Sequence, residues 1–232
     1  MNFSIVIPVF NEELNIEVLI EEIFLSLQNN KYNFEVILVN DASTDSSLEV
    51  ISNLQKKFPN ILKVINNNQN SGQSYSITKG IKTALNDTIV TIDGDGQNNP
   101  KDIPVLLNKF FSDEFLFLVG GIRVKRKDNF IKIISSKIAN SFRKALLNDD
   151  CDDTGCSLKV FDKKIFIEFP FFNGIHRFLP ALFKGYGKKT FFIKVDHRKR
   201  KYGNSKYGTF ARLFYGIKDL IRVAKIIKEF NK

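Results

Sequence analysis

"TIVTIDGDGQNNP", residues 88–100, decides the reading of this chain. A β-branched run ends abruptly in two aspartates, Asp93 and Asp95, one residue apart, with Gln97 following. Carboxylates so close repel one another, and burial at a strand end raises the cost of their charge. A positive partner is needed to offset it. The Asp-x-Asp spacing can present two hard oxygen ligands to Mg2+ or Mn2+. An EF-hand is excluded, because its fifth, sixth and twelfth positions fall on Gln97, Asn98 and Pro104, where the last should be glutamate. Gly94 and Gly96 let the backbone approach a ligand closely. A hard cation usually keeps places for water and substrate phosphate, so the stretch reads as a divalent cation with a phosphorylated ligand.

Outward from this stretch, the first 120 residues alternate between two periodicities. "FSIVIPV" (3–9) predicts a strand, and residues 12–28 carry apolar positions at helical spacing. "FEVILVN" (34–40) is a near-continuous apolar run of the kind found in parallel sheets. A helix capped by Ser43 or Thr44 is expected to run to about Phe58, with Asp45 a second candidate cap. "ILKVIN" (61–66), a helix over 73–85, "TIVTID" (88–93), a helix over 101–112 and "EFLFLVG" (114–120) continue the pattern. Such alternation argues a doubly wound α/β sheet, whose ligands sit beyond the carboxyl ends of the strands. "PVFNEE", "NDASTD", "DGDGQ" and "GGIRVKRK" all fall there and converge on one site. Asp41, ending an apolar strand, is placed to accept hydrogen bonds from a flat base.

Beyond residue 128 the pattern changes to a helix around 129–147, the loop "NDDCDDTGC", a short helix, and a strand near 190–196. The last stretch reads as a long amphipathic helix with Phe210, Leu213, Phe214, Ile217, Leu220, Ile221, Ala224 and Ile227 on one face. That face is expected either to pack on the core or to enter a lipid headgroup layer with Arg212, Lys218 and Arg222 toward anionic lipid.

Composition narrows the class. With 232 residues and 43% hydrophobic content, the chain can bury a full core without disulfides or a structural metal. Cys151 and Cys156, with only two distant histidines (His176 and His197), make a poor zinc site and read as reduced thiols. No signal peptide and no stretch of about 18 apolar residues is read, which predicts a soluble or peripheral protein on the cytoplasmic side. Lysine and arginine outnumber acids 35 to 25, for a net charge of +10, concentrated at 123–127 and 197–201. Such an excess suits phosphorylated ligands, anionic membranes or nucleic acid, but no nucleic-acid recognition motif is present.

"SIVIPVFNEELNI", "ILVNDASTD", "GQSYSITKGIKTA" and "TIDGDGQNNP" together resemble the family-two glycosyltransferases, which have the GT-A fold: a Rossmann-like, mixed but mostly parallel sheet flanked by helices. "GGIRVKRKDNFIKIISSKIANSF", "DDTGCSLKVF" and "HRKRKYGNSKYG" resemble the subgroup that transfers sugars to dolichyl and polyprenyl phosphates. The resemblance spans residues 3 to about 210 and implies a GT-A domain over 1–206, divided near 120 into nucleotide and acceptor halves. The amphipathic helix over 207–232 then follows. It implies that Pro8, Phe10, Asn11 and Glu12 hold the base and ribose of a GDP- or UDP-linked sugar, and that Asp41 reads the base. Asn40 stands where many relatives have a second aspartate, and Gly94 replaces a common alanine. Asp93, Asp95 and Gln97 match the metal-binding triplet, and Arg123 an arginine near the phosphates. Arg200 and Lys206 match the basic pair that clamps the diphosphate and acceptor phosphate. The cofactor implied is Mg2+ or Mn2+. Partners implied are a nucleotide sugar, a polyprenyl phosphate, a membrane surface and a possible separate membrane protein, with no nucleic acid.

The expected reaction is an inverting hexosyl transfer to the polyprenyl phosphate. Metal, arginine and lysine stabilise the leaving diphosphate as its charge develops. An acceptor already anionic needs no base. Were it a glycan or lipid-A-like hydroxyl, Asp153 in "DDTGC" would be the candidate base. The reading from another class is a basic nucleic-acid-binding protein.

Overall fold

The structure, a computed structural model, describes residues 1–28, 32–124, 143–144, 146–200 and 209–232, the last group as backbone only over 209–217. Most of the expected helix over 129–147, most of the basic run at 123–127, Lys206, and the side chains of Phe210, Arg212, Leu213, Phe214 and Ile217 lie outside the described residues.

Seven strands form one sheet in the order β3-β2-β1-β4-β6-β5-β7. β1 (Asn2–Val9), β2 (Asn33–Asn40), β3 (Leu62–Asn66) and β4 (Thr88–Thr91) are mutually parallel. Each is linked to the next by a helix, α1 (Ile16–Leu27), α2 (Ser47–Lys57) and α3 (Gln73–Thr83). This is the strand–helix–strand crossover arrangement expected of apolar strand runs with intervening amphipathic helices. A 3-10 turn over Pro100–Asp102 and α4 (Ile103–Phe111) lead to β5 (Leu116–Arg123).

The sequence reading missed one strand. β6 (Lys159–Asp162) inserts antiparallel between β4 and β5, and β7 (Lys189–Val195) then extends the sheet parallel to β5. Only four residues long, β6 shows too little periodicity to be distinguished from the loop before it. Its insertion makes the sheet mixed. It also directs the "DDTGC" loop back toward the carboxyl end of β4, because Thr91 pairs with Lys159.

The two faces of the sheet carry separate cores. α1, α2 and α4 cover one through Leu19, Ile20, Ile23, Ile51, Leu54, Ile103 and Leu106. α3, α5 (Lys163–Glu168), α6 (Ile175–Gly185) and α7 (Thr209–Phe230) cover the other, where Phe161, Phe166, Phe169, Phe178 and Phe183 pack together. In the described part of α7, Leu220 and Val223 are buried in this second core, and Ile227 lies over Gly185. Core packing therefore accounts for that part of the apolar face, whereas Ile221, expected on the same face, is exposed. Among the described residues, no helix is long and apolar enough to cross a membrane.

Local chemistry corrects one cap. α2 begins at Ser47, not after Ser43 or Thr44, and Asp45 Oδ1 accepts from the Ser47 amide at 3.0 Å. Ser43 and Thr44 are engaged with Asn11 across the site.

α3 approaches the sheet closely at Gly80, where an added Cβ would lie 2.5 Å from Val6 Cγ1 and 3.0 Å from Val39 Cγ2. Both valines are fully buried and cannot yield. Gly80→Ala is expected to lose about 1 kcal/mol net, overpacking exceeding the gain in helix propensity. Differential scanning calorimetry should show Tm lower by about 2–4 °C.

Candidate active site

The loops after β1, β2 and β4 meet the segments 153–158 and 196–200 at the carboxyl edge of the sheet, where the crossover geometry leaves a crevice. Asn11 and Ala42 adopt left-handed backbone, with φ of 54° and 55°. Asn11 braces the first two loops: its amide donates to Ser43 Oγ at 3.0 Å, and its Oδ1 accepts from the Thr44 amide at 2.8 Å. Asn40, the departure from the second aspartate, has a structural use. Its Oδ1 accepts from the Ser43 amide at 3.1 Å, and its Nδ2 donates to Asn66 Oδ1 at 3.2 Å. Pro8 pairs with Val39 at the end of β1, and Phe10 lies half-buried just beyond it.

Asp41 is buried and densely bonded. Oδ1 accepts from Asn67 Nδ2 at 2.7 Å and the Ser71 amide at 2.9 Å; Oδ2 accepts from the Gly72 amide at 2.8 Å. The carboxylate thereby fixes the 67–72 turn that leads into α3, a contribution its place in the sequence did not reveal.

Asp93 and Asp95 stand side by side beyond β4. Burial first, and the Asp95 charge second, push the Asp93 carboxyl up to about 6. The Asp93 amide donates to Ser157 Oγ at 3.2 Å, and Oδ1 accepts from Gln73 Nε2 at 2.7 Å. Asp95 Oδ1 accepts from the Gln97 amide at 3.1 Å, while Oδ2 lies 3.8 Å from Arg200 Nη1. Gly94 sits close to the β1 end, where a Cβ would lie 3.1 Å from the Pro8 carbonyl oxygen, a tight contact that a slight shift would relieve. A buried carboxylate whose charge is disfavoured, with a second carboxylate beside it, fits a divalent cation. No group of three or more His, Cys, Asp or Glu fit to hold a metal occurs among the described residues. Asp93 and Asp95 would thus leave further coordination places to other groups, the mode usual for Mg2+ at phosphate sites. Gln97 is turned toward the basic segment: Nε2 donates to the Arg198 carbonyl at 3.3 Å, which leaves Oε1 as its acceptor for a cation.

The "HRKRK" segment is fastened to this loop. Asn98 and His197 form an antiparallel bridge, and the Arg198 amide donates to the Gln97 carbonyl at 2.8 Å. Arg198 is paired with Glu22 of α1 at 2.7 Å, so it anchors the segment. Arg200 pairs with buried Glu12, whose Oε2 accepts from Asn15 Nδ2 at 2.8 Å. Arg200 therefore bridges the β1 loop and the aspartate pair. Lys206, its expected companion, lies outside the described residues.

Arg123 and Asp153, assigned separate roles from sequence, are brought together. The guanidinium forks onto the carboxylate at 2.6 and 2.7 Å, and the Arg123 amide adds a third bond at 3.2 Å. Gly155 makes room for the fork, since a Cβ there would lie 2.8 Å from Arg123 Nη2. Both carboxylate oxygens of Asp153 are thus engaged by one cation. The sequence reading also gave no role to Gln73, Ser157, buried Lys159, or the buried Arg143–Asp149 pair at 2.9 Å. Gln73, Ser157 and Lys159 sit within motifs quoted for their family pattern, but only the fold shows what each touches. The two cysteines are free and buried, and burial pushes the Cys151 thiol up to about 11, which leaves it unreactive.

Comparison with known proteins agrees with this architecture. Residues 4–169 match the family described as Glycosyl transferase family 2. The chain is 34% identical over 226 residues to dodecaprenyl-phosphate galacturonate synthase of Rhizobium johnstonii, covering 96% of this chain and 66% of that protein. It is 31% identical over 220 residues to undecaprenyl-phosphate 4-deoxy-4-formamido-L-arabinose transferase of Pectobacterium carotovorum, covering 95% and 66%. The chain thus spans just under two thirds of the length of these relatives. Its fold is shared with glucosyl-3-phosphoglycerate synthase of Mycobacterium tuberculosis, solved with Mn2+, UDP and phosphoglyceric acid: TM-score 0.70, 17% identity, covering 96% of this chain and 76% of that one.

The raised Asp93 pKa has a stability consequence. The folded protein holds this proton more tightly than the unfolded chain, so stability falls as pH rises from about 4 through about 6. Metal-free Asp93→Asn should therefore melt above metal-free wild type at pH 7.5, with the gap closing toward pH 4. Thermal melts in chelator across that range check the sign. From its matched domain and its fold, this chain belongs to glycosyl transferase family 2.

Proposed function

We propose that the protein catalyses inverting, metal-dependent transfer of a sugar from a nucleotide sugar to a polyprenyl phosphate, working at the cytoplasmic face of a membrane. The observation that carries the choice of acceptor is the Arg123–Asp153 pair. The candidate base is held by a two-pronged ion pair, and a phosphate acceptor needs no base. The curated relatives support the same acceptor class, since those named above act on dodecaprenyl and undecaprenyl phosphate. A UDP-linked donor is the first to test, because a protein of the same fold binds UDP; GDP-linked sugars are the second.

In this mechanism an oxygen of the acceptor phosphate attacks the anomeric carbon, and the bond from that carbon to the diphosphate oxygen breaks. The electron pair leaves with the nucleoside diphosphate, and configuration inverts. Asp93, Asp95 and Gln97 would hold the Mg2+ or Mn2+, which supplies charge neutralisation for the leaving diphosphate when bound. Glu12 holds Arg200 beside the aspartates, where the guanidinium can meet the same developing charge. Arg198, spent on Glu22, fixes the backbone from which Arg200 projects. The structural use of these arginines weighs against a nucleic-acid surface.

Incubation with labelled UDP- and GDP-sugars, Mn2+ and undecaprenyl phosphate should carry label into the lipid phase. Label confined to a glycan acceptor would overturn the proposed acceptor. Arg200→Ala is expected to reduce kcat by about 100-fold, the scale of losing one preorganised transition-state contact. Asp153→Asn should lower Tm, because it leaves a partly buried Arg123 with half its partner. If Asp153 were instead the base, the same variant would also lower kcat by about 100-fold or more, a loss the phosphate acceptor does not call for.

A further inference from the structure

Hydrogen bonds on adjacent residues at the start of α3 link the second half of the fold to the aspartate pair. Gly174, at the N-terminus of α6, donates its amide to Ser74 Oγ at 2.7 Å. The same hydroxyl is hydrogen-bonded to His176 Nδ1 at 2.7 Å. Burial first, then the nearby Arg177 and Lys159 charges, push His176 down to about 3, so the imidazole is neutral. Ser74 is thus held by two partners about a hundred residues away in sequence. The residue before it, Gln73, donates Nε2 to Asp93 Oδ1 at 2.7 Å. Gln73 and Ser74 are the first two residues of α3, whose backbone is anchored by Gly80 against the sheet.

We infer that Gln73 is a positioning residue for the metal-binding carboxylate Asp93, and that the Ser74–His176–Gly174 bridge holds Gln73 in register. The inference rests on the metal-dependent reading above. Asp93 opens a short loop beside Gly94, where an unheld carboxylate has rotational freedom that an Asp-x-Asp cation site cannot tolerate. Gln73 takes up one oxygen of Asp93 along a fixed direction and leaves the other to the ion, the usual relation between a metal ligand and its supporting partner. Because Gln73 is uncharged, it orients Asp93 without competing with the cation for charge. The bridge makes that orientation depend on where α6 sits, and α6 is in turn tied to α7 through Arg177 and Asp219 at 3.0 Å. The metal site is thereby braced from the acceptor half of the chain.

The test is Mn2+ binding to the full chain in the presence of UDP, by titration calorimetry and by the electron paramagnetic resonance signal of bound Mn2+. Gln73→Met, which keeps the volume and removes the amide, should weaken Mn2+ by about 10- to 100-fold, with the metal-free Tm little changed. Gln73→Ala should do the same. Ser74→Ala and His176→Ala should weaken Mn2+ in the same direction, and His176→Asn, which retains a hydrogen-bonding partner for the Ser74 hydroxyl, should recover part of the loss. The double variant Gln73→Met with Ser74→Ala should match Gln73→Met alone, because both act through one contact. Wild type that binds Mn2+ together with a Gln73→Met that binds it equally well would overturn the inference alone. Additive losses in the double variant would overturn the bridge. Wild type that binds no Mn2+ would overturn the metal reading and the inference with it.

Discussion

The repulsion between Asp93 and Asp95 is the constraint around which this structure is arranged. Each departure from a plain α/β sheet near the site compensates it or holds it in place. Gly94 lets the pair sit against the Pro8 carbonyl, and Gln73 and Ser157 each bond to Asp93. Lys159 and Arg123 lower the cost of the Asp93 charge from inside, and Arg200 faces Asp95 from the opposite loop. These supports do not fully offset burial and the Asp95 charge, and the Asp93 carboxyl stays raised. A site that remains deficient in positive charge is one prepared for a cation and a polyanionic ligand together.

The basic residues that first suggested a diffuse anionic partner prove to be specific. Arg198 and Arg200 are neighbours but one in sequence, yet each pairs with a different glutamate, Glu22 on α1 and Glu12 on the β1 loop. One pins the segment and the other projects into the site. Arg123, in the other basic run, closes on Asp153 and shapes the "DDTGC" loop. These three arginines therefore act locally at the sheet edge, each against its own carboxylate.

Much of the fold was legible because it depends on periodicity. Apolar runs at β1, β2 and β4, with helical spacing between them, admit little besides a parallel sheet, and the polar clusters then fall at its carboxyl edge. β6 was illegible, since four residues carry no period and its antiparallel insertion depends on partners at Thr91 and Gly120. The α2 cap was misplaced because Ser43 and Thr44 have the chemistry of capping residues. Only the neighbouring loop shows that Asn11 has claimed them.

The sequence by itself determined the chemistry: two aspartates at one-residue spacing after a buried strand, glycines where backbone must come close, and cations to meet phosphate. These are properties of short stretches, fixed by covalent spacing. Tertiary structure alone decided which groups are already spent and which face the ligand. Nothing within "DDTGC" announces that Asp153 will be gripped by Arg123, thirty residues earlier, nor within "GQSYS" that Gln73 will reach Asp93. Those pairings follow from strand order and register, because a side chain's partner is set by which strand lies beside its own. Sequence distance carries no record of that choice.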